Sequence, residues 1–210
     1  MTSPFGAKDV FCIKGGFFMS KKRSNPTRVK IPVFKSLTGL CFAAILTAMS
    51  FILGKFLQIP NPFQDFIRIS FENLPIFISA FTLGPIAATL VGIAADLIGC
   101  VLYGYSINPL ITLGAGAIGF ISGVLGKYLF RNNLLIKIPT AIFTSHVVGS
   151  VLIKSAGLAA WYLSKYSLGY WEFVAWRLLN YAVIGLAECV ILYLLLKNRA
   201  FTKQIQKMTS

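Results

Sequence analysis

Charge is what this chain has least of. Asp, Glu, Lys and Arg make up 12% of its 210 residues, hydrophobic residues make up 56%, and mean hydropathy is +0.75. No water-soluble core of this size requires that balance, so the composition points to a polytopic membrane protein. Cysteine is sparse too: Cys12, Cys41, Cys100 and Cys189 are scattered without paired spacing. Neither a disulfide framework nor a zinc site is indicated, and no metal or cofactor is expected. No Gly-x-x-x-x-Gly-Lys loop occurs, so the chain cannot hydrolyse ATP by that route. Any active transport must draw its energy from a partner or a gradient.

Acids are the scarcest charges, six against 20 Lys and Arg, giving a net charge of +14. The positions of the cations argue against nucleic acid. Lys8, Lys14, Lys21, Lys22, Arg23, Arg28, Lys30 and Lys35 precede the first apolar run; Lys127, Arg131 and Lys137 surround one connection; Lys197, Arg199, Lys203 and Lys207 close the chain. No basic and aromatic nucleic-acid module surrounds them. With six spans all of these cations fall on one side, and the positive-inside rule then places both termini in the cytoplasm, beside the lipid headgroups.

A helical span needs ~20 residues to cross a ~30 Å hydrocarbon core, so six spans and short loops fit the length. The expected organisation is a basic cytoplasmic arm over 1–36, an all-α six-helix transmembrane domain over 37–197 and a basic cytoplasmic tail over 198–210. Met19, just before Ser20-Lys21-Lys22-Arg23, is a second candidate start beside Met1, and the first eighteen residues show no periodicity. Span one is expected from about Leu37 to Phe56, with Ala44 and Ala48 as a small-x-x-x-small pair that lets another helix approach. The outer connection contains Pro60-Asn61-Pro62, then Phe66 to Phe71 alternating apolar and polar as a short strand does. Pro75 and Gly84-Pro85 divide Leu74 to Tyr105 into two short spans with a tight turn between them. Span four, about Pro109 to Phe130, carries Gly114, Gly116, Gly119, Gly123 and Gly126. Its Gly-x-Gly-x-x-Gly has no strand before it, so helix packing through Gly119 and Gly123 is the expectation rather than a dinucleotide site. Spans five and six are expected at about Ile138 to Tyr162 and Trp171 to Leu196.

Polar residues inside the last two spans are the best pointers to function, because an ion in hydrocarbon must face a partner, a cavity or a ligand. His146, Ser150 and Lys154 recur every four residues and share one helix face. Arg177, Asn180, Tyr181, Ile184 and Glu188 form a second stripe. At ~1.5 Å per residue Lys154 and Arg177 lie at comparable depths in the outer half, and His146 and Glu188 lie deeper. Trp161, Tyr162, Tyr166, Tyr170, Trp171 and Trp176 ring the outer ends. An interfacial aromatic belt with snorkelling cations accounts for this pattern. So does a site for a planar ligand bearing carboxylate, whose rings stack and whose acid Arg grips. Two further readings come from other classes. Asp96, His146 and Glu188 could relay protons in a self-sufficient carrier, and Ser122 with His146 could serve an intramembrane hydrolase, although Phe120 stands where Gly-x-Ser-Gly requires glycine.

From Leu37 to Leu196 the chain resembles the S component of an energy-coupling-factor (ECF) transporter, most of all its folate branch. The residues that carry the likeness are Arg68-Ile69-Ser70-Phe71-Glu72-Asn73-Leu74-Pro75-Ile76, Gly84-Pro85, Gly92, Ala95-Asp96 and Gly99, together with Ala44-Ile45-Leu46-Thr47-Ala48. The resemblance implies a vitamin-binding membrane subunit, most readily for folate, with no ATPase site of its own. Its partners would be a transmembrane coupling subunit, docked on Ala44 and Ala48, and two ATPase subunits. It also implies a vitamin site near the outer face. Arg68, Lys154 and Arg177 are the expected carboxylate contacts, and Asn108, Tyr162, Trp176 and Asn180 the expected ring contacts.

Overall fold

The computed structural model describes residues 37–60, 68–128, 133–159, 169–198 and 201. Six helices make the bundle: α1 Leu37–Lys55, α2 Leu74–Thr82, α3 Pro85–Tyr103, α4 Pro109–Tyr128, α5 Leu134–Ala159 and α6 Tyr170–Lys197. All but α2 are long and apolar enough to cross a membrane. With nine residues α2 rises roughly 13 Å, less than half of a hydrocarbon core. Of the two short spans expected between Leu74 and Tyr105, the first is therefore a half-length helix, enclosed by its neighbours from Leu74 to Ala80.

Local chemistry sets the helix ends. Gly84 takes φ 98°, which a side chain resists, and Pro85 at the first turn of α3 has no N–H to lose. At the far end of α3, Gly104 adopts φ 65° and the Tyr105 N–H reaches the Cys100 carbonyl at 3.0 Å, closing the helix in a left-handed cap. Asn108 starts α4 by accepting the Leu110 N–H at 3.0 Å. The expected strand is a two-residue antiparallel ladder, β1 Ile59–Pro60 with β2 Arg68–Ile69, in which Ile59 pairs with Ile69.

The bundle turns apolar side chains outward and buries a set of polar ones among its helices. Leu178, Leu179, Val183, Leu186 and Val190 of α6 are exposed, as a lipid-facing stripe requires, whereas Ser50, Asn73, Ser122, His146, Ser150 and Glu188 are buried. Leu46, Phe77, Val91, Ile118, Ile142 and Leu192 form the apolar centre. The glycines of α4 place it against both neighbours. A Cβ on Gly92 would lie 2.5 Å from the Ala115 carbonyl, one on Gly119 would strike the Ala88 carbonyl, and one on Gly123 would strike the Pro85 backbone. The glycine run is thus a packing surface, and α3 with α4 is the most extensive helix pair.

Candidate functional site

Midway along α5 the hydrogen-bond ladder changes register: His146–Ile153 is π-helical. The Lys154 amide reaches back five residues to Gly149. When the α ladder resumes, its four-residue step passes over Ser150 and leaves that carbonyl without an amide. Arg177 of α6 supplies the missing donor, its Nη2 donating to the Ser150 carbonyl at 2.8 Å. The guanidinium also lies over the rings of Phe173 and Tyr181, at 5.6 and 5.4 Å from their centroids. Its Nε is buried without a hydrogen-bond partner among the described residues. Gly149 makes the local approach feasible, since a side chain there would strike Ile118 and meet the Gly114 carbonyl at 2.9 Å.

One turn beyond Ser150, the buried Lys154 ammonium donates to Glu72 Oε1 at 2.9 Å. Glu72 precedes α2 and is held from two directions. Ser50 Oγ donates to its backbone carbonyl at 2.6 Å, and the missing side chain of Gly54 leaves room for its carboxyl. Lys154 above all, with lesser help from Lys55 and Arg177, holds the Glu72 carboxyl below the usual carboxylate range despite burial, so it is ionised at neutral pH. Beside it, Asn73 occupies the N-cap position of α2 without capping the helix. Its side chain is fully buried, and neither its nitrogen nor its oxygen has a hydrogen-bond partner among the described residues. Ser50, Glu72, Asn73, Asp96, Lys55 and Lys154 line a cavity of about 60 Å³ here. Asp96 is tied across to α4 by the Thr112 hydroxyl at 2.7 Å.

Deeper in the bundle His146 Nε2 lies 2.6 Å from Glu188 Oε2, and Nδ1 lies 3.3 Å from Ser150 Oγ. Tyr181 stacks on the imidazole at 5.0 Å and Phe77 meets it edge-on at 5.3 Å. Ser122 donates to the Ile118 and Gly119 carbonyls of its own helix. Ser122 and His146 are each occupied elsewhere, so they do not form a nucleophile and base. Glu188→Gln keeps a hydrogen bond to the imidazole and removes only its ionic part. The expected loss is about 1 kcal/mol, read from the thermal midpoint in detergent, and an unchanged midpoint would show that the pair carries no charge.

The residues expected at the site are placed as follows. Lys154 and Arg177 reach the same turn of α5, but both meet partners from within the protein. Asn180 is buried on α6 and Trp176 is half-buried one turn before it. Asn108, besides capping α4, donates Nδ2 to the Gly157 carbonyl of α5 at 2.7 Å. Arg68 is described only as backbone in β2, and Tyr162 lies outside the described residues. Ala44 and Ala48 are exposed on α1, beside a groove of about 550 Å³ lined by apolar residues of α1 and α3. Sequence reasoning missed Glu72 and Asn73 as site residues. Their signal was present: an acid and an amide beside a proline-started apolar helix, in a chain with six acids.

A family model described as "ECF-type riboflavin transporter, S component" matches residues 34–203. The chain belongs to this family. Among solved structures, one titled as FolT bound with folic acid superposes with a TM-score of 0.59 at 21% identity, covering 75% of this chain and 91% of that one, a likeness of fold. Comparison with curated proteins gives no match. As an S component the chain is a multi-pass subunit of the cell membrane that binds a vitamin for an ECF module and is not itself an enzyme. The hydrolase reading is thereby set aside on two grounds, family and geometry.

Proposed function

We propose that this S component captures riboflavin rather than folate, and hands it to a coupling subunit that rides on α1. The observation that carries the choice of vitamin is the charge balance. A folate-type ligand brings carboxylates and needs accessible cations, but Lys154 is neutralised by Glu72 and one arm of the still-charged Arg177 is committed to the Ser150 carbonyl. An uncharged fused ring needs a flat surface and single hydrogen bonds, for which Trp176 and the Arg177 Nε–H are our candidates. The description of the matching family supports the same choice.

For docking, the support is the groove beside Ala44 and Ala48. It is apolar, open, and floored by Ala87, Val91 and Ala94, so an apolar helix fits it closely. For orientation, the support is charge. Lys127, Lys137 and Lys197 sit at the end of the bundle where α4 and α6 finish and α5 begins, and we assign that end to the cytoplasm.

Tryptophan fluorescence of the purified protein, titrated with riboflavin and folate, tests the assignment, since Trp171 and Trp176 lie in the first turns of α6. Saturable quenching by riboflavin, not displaced by equimolar folate, is the expected result. Saturation by folate alone would return the ligand to the carboxylate class. Arg177→Ala is expected to weaken riboflavin binding about tenfold, a ~1.4 kcal/mol effect that suits one hydrogen-bonding cation.

A further inference from the structure

We infer that the Glu72–Asn73 step is the charge selector of this S component: Glu72 cancels the Lys154 ammonium, Asn73 offers one donor and one acceptor to the edge of an uncharged ring, and together they turn away carboxylate- and phosphate-bearing relatives. The inference deepens the riboflavin reading and rests on it.

Four observations converge on this step. The first is asymmetry of burial: the Lys154 side chain is 8% exposed and that of Glu72 is 32% exposed. The anion is thus the more accessible partner of the pair, and the cation is the more deeply buried one. An arriving anion meets the Glu72 carboxylate first and is repelled, whereas a neutral group meets a pair of zero net charge.

The second is Asn73. Buried amides find partners in nearly every folded protein, because an unmade hydrogen bond leaves the desolvation cost unrecovered. Here an asparagine at an N-cap position, where capping is the ordinary use of its oxygen, leaves both of its polar atoms unpartnered. A ring edge that carries a carbonyl beside an N–H would satisfy both atoms at once.

The third is size. About 60 Å³ holds on the order of two waters, or one polar edge of a ring, but no whole vitamin. The cavity suits a subsite at the end of a larger binding surface. The fourth is that the step is held in place. Gly54 leaves space for the carboxyl, Ser50 holds the Glu72 carbonyl at 2.6 Å, and the Asn73 carbonyl accepts the Phe77 N–H at 2.9 Å to begin α2. Neither residue is free to turn away without loosening a helix.

The probes are riboflavin, riboflavin 5′-phosphate and folate, titrated against the full chain in detergent. Wild type is expected to bind riboflavin at least about tenfold more tightly than either anion. Glu72→Gln unmasks Lys154, and the ratio of anion to neutral affinity should rise about tenfold or more. Glu72→Gln combined with Lys154→Met restores zero net charge and should restore the wild-type ratio. Asn73→Leu should weaken riboflavin about tenfold while the thermal midpoint of the unliganded protein holds or rises, because an apolar side chain replaces an unsatisfied amide. A purely structural role for Asn73 would instead lower that midpoint.

Three outcomes overturn the inference. One is an unchanged anion-to-neutral ratio in Glu72→Gln, and another is unchanged riboflavin affinity in Asn73→Leu. If Glu72→Gln does not fold, the wild-type ratio decides, and equal affinity for riboflavin and its phosphate counts against the selector. Wild type that binds none of the three probes overturns the riboflavin reading itself, and that result is distinguishable from the other three because it precedes any substitution.

Discussion

Gly119→Leu is expected to abolish accumulation of folded S component. The α3–α4 pair is the most extensive in the bundle, and it meets backbone to backbone. A Cβ at Gly119 would lie 2.5 Å from the Ala88 carbonyl carbon and 2.8 Å from the Thr89 nitrogen, positions that no rotamer change can clear. Two helices that each pack on a third neighbour must then separate, and crowding of this kind costs about 3 kcal/mol or more. Size-exclusion traces and thermal midpoints in detergent read the effect. Gly169→Ala is the control, since a side chain there meets nothing within 4 Å among the described residues and its φ of −70° suits any residue. A Gly119→Leu protein that is monodisperse and melts with wild type would show that α3 and α4 do not need this contact.

Ala44→Trp and Ala48→Trp are expected to act in the opposite manner, leaving the fold and vitamin binding intact while stopping uptake. Both alanines are exposed, so an indole at either costs the isolated protein little. The groove they border has room for side chains of another helix, and an indole would occupy that room. Close approach through small residues is what lets helices associate in lipid, where no hydrophobic driving force helps them. Uptake of labelled vitamin into cells or vesicles holding the complete transporter should fall to background, and affinity in purified S component should stay within about twofold of wild type. Preserved uptake would place the coupling subunit on another face.

Much of this architecture was legible in the sequence because a membrane makes patterns explicit. α1, α4 and α6 begin and end within two residues of the expected spans Leu37 to Phe56, Pro109 to Phe130 and Trp171 to Leu196. The glycines of α4 announced a close-packed helix, and Gly84-Pro85 announced a break. The half-length of α2 was hidden, since an apolar stretch reads alike whether it crosses the core or ends within it. At the site, the helical stripes located Lys154, Arg177, Asn180 and Glu188, but periodicity carries no information about partners distant in sequence. Lys154 pairs with a residue 82 positions away, and the sequence offered no means of learning that its charge is already met. Asn108 shows the same limit: an asparagine before Pro109 also reads as a helix start, and its two hydrogen bonds start α4 and join it to α5.

The widened turn in α5 contains one residue more than an ordinary helix needs to cover the same ground. Excising one residue from His146–Ile153 would let the ladder run uninterrupted and leave everything beyond it facing nearly the same way, because the wide turn already absorbs the extra residue. Lys154 would still face Glu72, but Arg177 would find no waiting carbonyl. The seat of the Arg177 guanidinium is thus encoded as an insertion, and a chain one residue shorter here would have to satisfy that cation in another way.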